Sequence, residues 1–518
     1  MTRSGLETES YPSGGRTLTT GKKIAIFVGT VATASLLILL LVFLVPRKDT
    51  CSDNNNNNTP IVSNKPLNVI VFVPDGFGPS GATLGRVMKQ LTTGKPTGAL
   101  NFDPYLTGTI QTKSSNSLIT DSAAAASAYS TGFKCANGAM GVNDKSEPIG
   151  TMFEAAKTKG MKTGVVVTTR ISDATPGGFY SHTVSRGYED FIISQFINRN
   201  MSVALGGGKK YFNATVMEKA NKMYNVVYDK DAMNKVTTGN ILGLFADADL
   251  PYEIDRLNNQ NYSKIPSLAE MTAKGLELIS QNNDKGFIML VEGSKIDLAG
   301  HDNDAFAHWQ ETLAFDNAFQ VVLDFANKDN NTVLVMMADH ETGGLTLGLQ
   351  PNNMVGAIYE FFPDFLLSNN GSAQTIAKAI LSMKNLNSTT TPTIVQAINS
   401  AVNSYYKPGN WDTNPNTTFT TAELDHLSAL YVKADSSLLS EYIGRYMSVR
   451  AKIGWTTGGH TGTDINLYNH YTGNTTFVQM NMLKGNHDNT DISRYLATIL
   501  GLDLAAETAK LAGTPVKP

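Results

Sequence analysis

The chain has 518 residues and a formal net charge of −3, long enough for one large α/β domain with insertions or for two domains. Its Lys and Arg are scattered, which gives no footing for a nucleic-acid partner. Its two cysteines, Cys51 and Cys135, exclude a disulfide scaffold and offer no CxxC spacing, so any metal must rest on His and carboxylates.

In chain order, residues 1–23 are polar and rich in Gly, Ser and Thr, and read as a cytosolic tail. Residues 24–45 carry no charge. As a helix they would extend about 33 Å, enough to cross a bilayer. A cleaved signal peptide is the alternative; the run is longer than a usual signal core, and no small-x-small site follows it. The expectation is an uncleaved, single-pass type II signal-anchor. Arg3, Arg16, Lys22 and Lys23 precede the span, against Arg47 and Lys48 after it, which favours a cytosolic N-terminus. The large domain would then face a lumen, of a vacuole or lysosome-like compartment, or the cell exterior. Sequons at Asn200, Asn213, Asn261, Asn370 and Asn474 permit a glycoprotein. Residues 46–65, with the run Asn54 to Asn58, read as a spacer before a catalytic domain over 66–518.

Continuous apolar runs predict buried strands at Leu67–Val73, Gly164–Thr169, Gly286–Val291 and Thr332–Ala338, and a less regular one at Ser202–Leu205. Helical patterns lie between them, as at Thr151–Lys159 and Ser267–Ser280. This alternation predicts an α/β fold: a doubly wound, largely parallel sheet with helices on both faces. Residues 350–450, with Asn, Ser, Thr and Pro clusters and a helical pattern at Ala422–Lys433, read as an inserted, crown-like segment.

Three of the strands stop at a carboxylate: Asp75 after the first, Glu292 after the third, and Asp339, followed by His340, after the fourth. Ligands in open α/β sheets sit beyond the carboxyl ends of strands, so these residues suggest a metal site. Asp297 and His301, spaced i, i+4, share one face of a helical turn. They suit zinc, although such pairs also occur as plain surface pairs. Ser122 follows Asp121 at the start of an Ala-rich helix. There it faces free N–H groups and positive dipole potential, or simply caps the helix. His460 lies in the Gly-rich turn Gly458–Gly462; taken alone it is a loop histidine. Asp173 and Thr175 follow the second strand, and Arg186 comes 13 residues after Asp173. Arg186 is either a phosphate clamp or a solvated surface residue. Cys135 reads as a small buried hydrophobe, and Cys51, beside the membrane, could pair two chains.

Six motifs stand in order: Pro74-Asp75-Gly76, Asp121-Ser122-Ala123, Asp173-Ala174-Thr175-Pro176 through Arg186, Val291-Glu292-Gly293 through Asp297 and His301, Ala338-Asp339-His340-Glu341-Thr342-Gly343-Gly344, and Gly459-His460-Thr461-Gly462. Together they resemble the alkaline phosphatases from about Asn68 to Leu483, and the anchored layout looks most like the vacuolar form of fungi and protists.

The resemblance implies metal-dependent hydrolysis of small phosphate monoesters at alkaline pH, through a phosphoserine intermediate, by a homodimer. Ser122 matches the nucleophile and Arg186 the phosphate clamp. Asp297, His301 and His460 match the ligands of one Zn2+; Asp75, Asp339 and His340 match those of a second. Asp75, Thr175 and Glu292 match the ligands of one Mg2+, with Asp173 holding a metal-bound water. Leu298 stands where the best-known members carry Lys or His, which predicts faster release of phosphate. A phosphodiesterase or sulfatase of the same superfamily would lack the third metal site, for which Thr175 and Glu292 are present. An inactive tethered binding protein would not need a full ligand set.

Overall fold

The apolar runs ending in carboxylates become neighbouring strands of one sheet. The computed structural model describes residues 66–350, 356–383, 391–405 and 419–518. The expected tail, anchor and spacer, and Cys51, lie outside the described residues, as do parts of the expected insertion. Among the described residues no helix is long and apolar enough to cross a membrane.

Ten strands form the main sheet: β1 (Asn68–Pro74), β2 (Leu106–Gln111), β3 (Lys162–Arg170), β4 (Val203–Gly207), β5 (Asn225–Val227), β6 (Ile241–Leu244), β7 (Phe287–Gly293), β8 (Thr332–Met337), β13 (Ile465–Tyr471) and β14 (Gly485–Asp488). Four short strands, β9 (Glu341–Thr342), β10 (Thr346–Leu347), β11 (Ile453–Gly454) and β12 (His460–Thr461), pair as two ribbons, β9 with β12 and β10 with β11. The sheet order is β14-β2-β13-β8-β1-β7-β3-β4-β6-β5. Pairing is parallel except where β13 runs antiparallel between β8 and β2. Every residue of β1, β7 and β8 is buried. Successive side chains of a strand point to opposite faces, so helices must cover both faces.

Register explains why the carboxylates meet. Val73 of β1 aligns with Glu292 of β7, and Phe72 aligns with Met336 of β8. Asp75 and Asp339 therefore emerge just past the same edge at which Glu292 ends its strand. Helix caps fix the elements that return to this edge. A capping box between Ser267 and Glu270 starts the Leu268–Ile279 helix, and Asp304 caps the Ala305–Asp329 helix with bonds from Phe306 N and Ala307 N. The latter helix lays Phe315 and Phe319 on Phe72, with ring centroids 4.6 and 5.6 Å away. It ends at Asn330 with φ 57°, a left-handed turn that Asn tolerates.

The described part of residues 350–450 is helical: Ala373–Ser382, Thr391–Tyr405, Thr421–Lys433 and Ser436–Arg450. Its Ile376, Ile380, Ile398, Leu427, Ile443 and Met447 form a second apolar cluster with Leu84, Ala299 and Phe306. Each such buried side chain contributes about 1.5–3 kcal/mol. The inserted segment is thus packed onto the helices that carry the site. Cys135 is a buried free thiol whose pKa burial pushes up to about 12, as its reading as a small hydrophobe expects.

Candidate metal centre

Ser122 opens the ten-residue helix Ser122–Thr131. Asp121 caps it, accepting from Ala124 N, which leaves the N-terminal dipole directed at the Ser122 hydroxyl. The helix stops at Gly132, whose φ of 79° needs a residue without a Cβ. Ser122 is buried, and its Oγ lies 3.1 Å from His340 Nε2 across 218 positions of sequence.

His340 is the hub. Its Nε2 lies 3.1 Å from Asp339 Oδ2 and 3.7 Å from Asp75 Oδ1, and its ring stacks on His460 at 3.5 Å. His301 Nε2 lies 3.3 Å from Asp297 Oδ2 and 3.1 Å from His460 Nε2, which in turn is 3.6 Å from Asp297 Oδ1. Two sets of ligand atoms converge: Asp75, Asp339 and His340, and Asp297, His340 and His460. His340 therefore stands between the groups, with His301 on the outer side of the second.

The far nitrogens are pinned by partners that the sequence does not reveal. Gly458 O faces His301 Nδ1 at 2.7 Å, Thr120 O faces His460 Nδ1 at 2.8 Å, and Thr342 Oγ1 faces His340 Nδ1 at 3.2 Å. Each leaves Nε2 directed into the cluster, the arrangement by which outer partners orient metal-binding imidazoles. Thr342 also donates to Asp297 Oδ1 at 2.5 Å, and Gly76 N donates to Asp339 Oδ1 at 3.1 Å. Backbone carbonyls carry no sequence signal; Thr342, two residues after His340 in the quoted motif, was the one partner open to reading.

Toward β3 and β7 the donors are oxygens. Asp173 caps the short Ala174–Gly178 helix and pairs through Oδ1 with Arg186 and Arg170, both at 3.1 Å. Burial raises its pKa, but the two guanidiniums outweigh that and hold it below the usual range. Arg186 also reaches Asp121 Oδ2 at 3.4 Å, which ties it to the helix that presents Ser122. The Glu292 carboxyl is pushed up to about 8 by burial and the Asp173 charge, against the hydroxyls of Ser294 and Thr175 that face it. Leu298 is half-buried and packs against the second apolar cluster.

The candidate catalytic and metal-ligating residues thus come to one edge of the sheet. They fit divalent cations on a direct observation: Asp75 Oδ1 and Glu292 Oε2 are buried there without a hydrogen-bond partner. Burial and the neighbouring Asp339, Asp297 and Glu292 drive the Asp75 pKa well up, whereas Asp297, despite burial, is held far down by His301, His340 and His460. Buried carboxylates this close stay ionised together only beside positive charge. The nitrogen-and-carboxylate donors suit zinc, and the all-oxygen donors Asp75, Asp173, Thr175 and Glu292 suit magnesium.

The alkaline phosphatase family model matches residues 66–502. The repressible alkaline phosphatase of Saccharomyces cerevisiae is 33% identical over 527 residues, covering 93% of this chain and 88% of the yeast protein. The crystal structure of a cold-active alkaline phosphatase from the psychrophile Shewanella sp. superposes with a TM-score of 0.69 at 31% identity, covering 84% of this chain and all of that one. That of Thermus thermophilus alkaline phosphatase gives 0.71 at 25% identity, covering 91% of this chain and all of that one. A buried serine over a carboxylate and histidine cluster, on this fold and with these relatives, places the chain in the alkaline phosphatase family, the metal-dependent hydrolases of phosphate monoesters.

Proposed function

We propose that the reaction runs through a phosphoserine on Ser122, with Arg186 as the phosphate clamp. The observation that carries this is Ser122 Oγ held 3.1 Å from His340 Nε2 at the start of a buried helix. Ser122 Oγ attacks phosphorus in line, and the bond to the leaving alcohol breaks as the new P–O bond forms. Water then attacks from the vacated side and returns the serine, so two inversions give net retention. Arg186 offers a fork of N–H donors to two phosphoryl oxygens. Asp121 and Asp173 hold that fork in place before substrate arrives. The free N–H groups of the Ser122–Thr131 helix favour both the serine alkoxide and the anionic phosphoryl group.

One zinc would be held by Asp297, His301 and His460, a second by Asp75, Asp339 and His340, and magnesium by Asp75, Thr175 and Glu292 with Asp173 holding a metal-bound water. When bound, these ions supply charge neutralisation and lower the pKa of the serine hydroxyl and of water. The test is hydrolysis of p-nitrophenyl phosphate by the full chain in detergent with zinc and magnesium, across roughly pH 6–10, beside Ser122→Ala. Activity that rises with pH, stops with chelator and collapses in the variant is expected; an active Ser122→Ala enzyme would contradict the assignment.

We further propose a type II membrane protein anchored by residues 24–45, with its catalytic domain in a lumen or outside the cell, and, as the family resemblance implies, a homodimer. The uncharged run and its flanking cations support the anchor. Retention in the membrane pellet after alkaline carbonate extraction is the expected result, and release of the full chain would contradict it.

A further inference from the structure

We infer that Asn303 and Arg445 are positioning residues for the His301–His460 half of the centre, so that the inserted helix Ser436–Arg450 sets the affinity of one metal site. The inference rests on the reading of His301 and His460 as zinc ligands. Asn303 lies two residues after His301 with φ 48°, in the left-handed region. It is fully buried. Its Nδ2 donates to Gly300 O at 2.8 Å and to Thr457 O at 2.9 Å. One amide thus grips the residue before His301 and the residue before Gly458, whose carbonyl faces His301 Nδ1. Both histidine-bearing segments hang on that side chain.

Arg445 orients the amide. Its Nε and Nη2 donate to Asn303 Oδ1 at 3.0 and 2.7 Å, and Nη2 also reaches Glu441 Oε1 at 3.2 Å. With Oδ1 occupied by a cation, Nδ2 is the atom left to face the two carbonyls. The helix fits its target closely. Ser448 Oγ donates to Asn303 O at 2.9 Å, and a Cβ at Gly444 would overlap Asp302 O. Glu441 abuts the loop itself, since a Cβ on Gly458 would lie 2.9 Å from its Oε2. None of these side chains touches the ligand atoms; they act by holding two backbone segments at a fixed separation.

Outer partners of metal ligands are worth about tenfold to a hundredfold in affinity. The experiment uses the full chain in detergent and measures zinc retained against a competing chelator, with thermal midpoints recorded alongside. Arg445→Met should weaken one of two bound zincs about tenfold and leave the other unchanged, with Arg445→Lys in between. Asn303→Gly keeps the backbone angle while deleting the grip, and should behave like Arg445→Met even if the latter folds poorly. His301→Ala is the control for the underlying reading. If it lowers zinc retention while Arg445→Met and Asn303→Gly lower only the thermal midpoint, the positioning role is overturned and the ligand assignment stands. If His301→Ala leaves zinc retention unchanged, the ligand assignment itself fails and the positioning role falls with it.

Discussion

At the scale of single residues, Arg186 shows how the site depends on placement more than on identity. An arginine 13 residues after Asp173 is unremarkable in sequence. In the fold it is stretched between Asp121 and Asp173 and so presented beside Ser122. Arg186→Ala should cut kcat/KM by about tenfold to a hundredfold, the worth of a charge-assisted bidentate contact. Arg186→Lys should recover only part of it, because an ammonium cannot reproduce the fork. Steady-state kinetics with p-nitrophenyl phosphate check both. Leu298 places an apolar side chain next to Asp297, packed on the inserted helices. Leu298→Lys should lower the inhibition constant for phosphate by about tenfold, as an added cation would. An unchanged constant would show that position 298 does not reach the phosphate and that its identity does not set product release.

At the scale of elements, the buried pair Glu154 and His182, joined by the half-buried Arg199, locks the helix Met152–Thr158 to the chain that leads to Arg186. Glu154 accepts from Thr151 N in a capping box, meets His182 Nε2 at 3.1 Å and Arg199 Nη1 at 2.7 Å. Burial would raise its pKa, but His182 and Arg199 outweigh that and hold it at about 2. A depressed folded-state value means that this stabilisation is present above the ordinary glutamate range, near 4.5, and is lost as pH falls toward 2. Glu154→Gln should therefore cost about 3 kcal/mol at neutral pH, with the difference from wild type shrinking in acid. Denaturant midpoints at neutral and acid pH check it. Strands were readable in sequence where burial on both faces makes a continuous apolar run, as in β1, β7 and β8. β2 and β14 form the edge beside β13 and carry exposed polar residues, so no such run marks them. β13, Ile465–Tyr471, interleaves Asn and His with its apolar residues, which hides a central antiparallel strand.

At the scale of the whole molecule, folding gathers four buried carboxylates, Asp75, Glu292, Asp297 and Asp339, and the half-buried Asp173 at one edge. Metal-free protein should lose stability as pH rises. Glu292, pushed up to about 8, holds a proton that the unfolded chain has already released, so its cost grows up to that pH. His301, raised to about 9 by Asp297, stabilises fully below about 6.5 and loses that contribution as pH climbs through 9. Both act in the same direction between about pH 6.5 and 8, so the gap in thermal midpoint between metal-loaded and chelated protein should widen there; a constant gap would contradict it.

The residues that cluster at the sheet edge were legible because carboxylates ending apolar strands and the order of the motifs mark them. Their supports were not: Thr120 O, Gly458 O, Asn303 and Arg445 act through backbone contacts or across 142 positions of sequence, which no local pattern encodes. The most direct measurement of the central claim is acid-quenched peptide mapping of the metal-loaded enzyme after incubation with phosphate ester. One phosphoryl group is expected on the peptide that carries Ser122, absent from Ser122→Ala. Phosphoryl transfer to another residue, or turnover by Ser122→Ala at the wild-type rate, would contradict it.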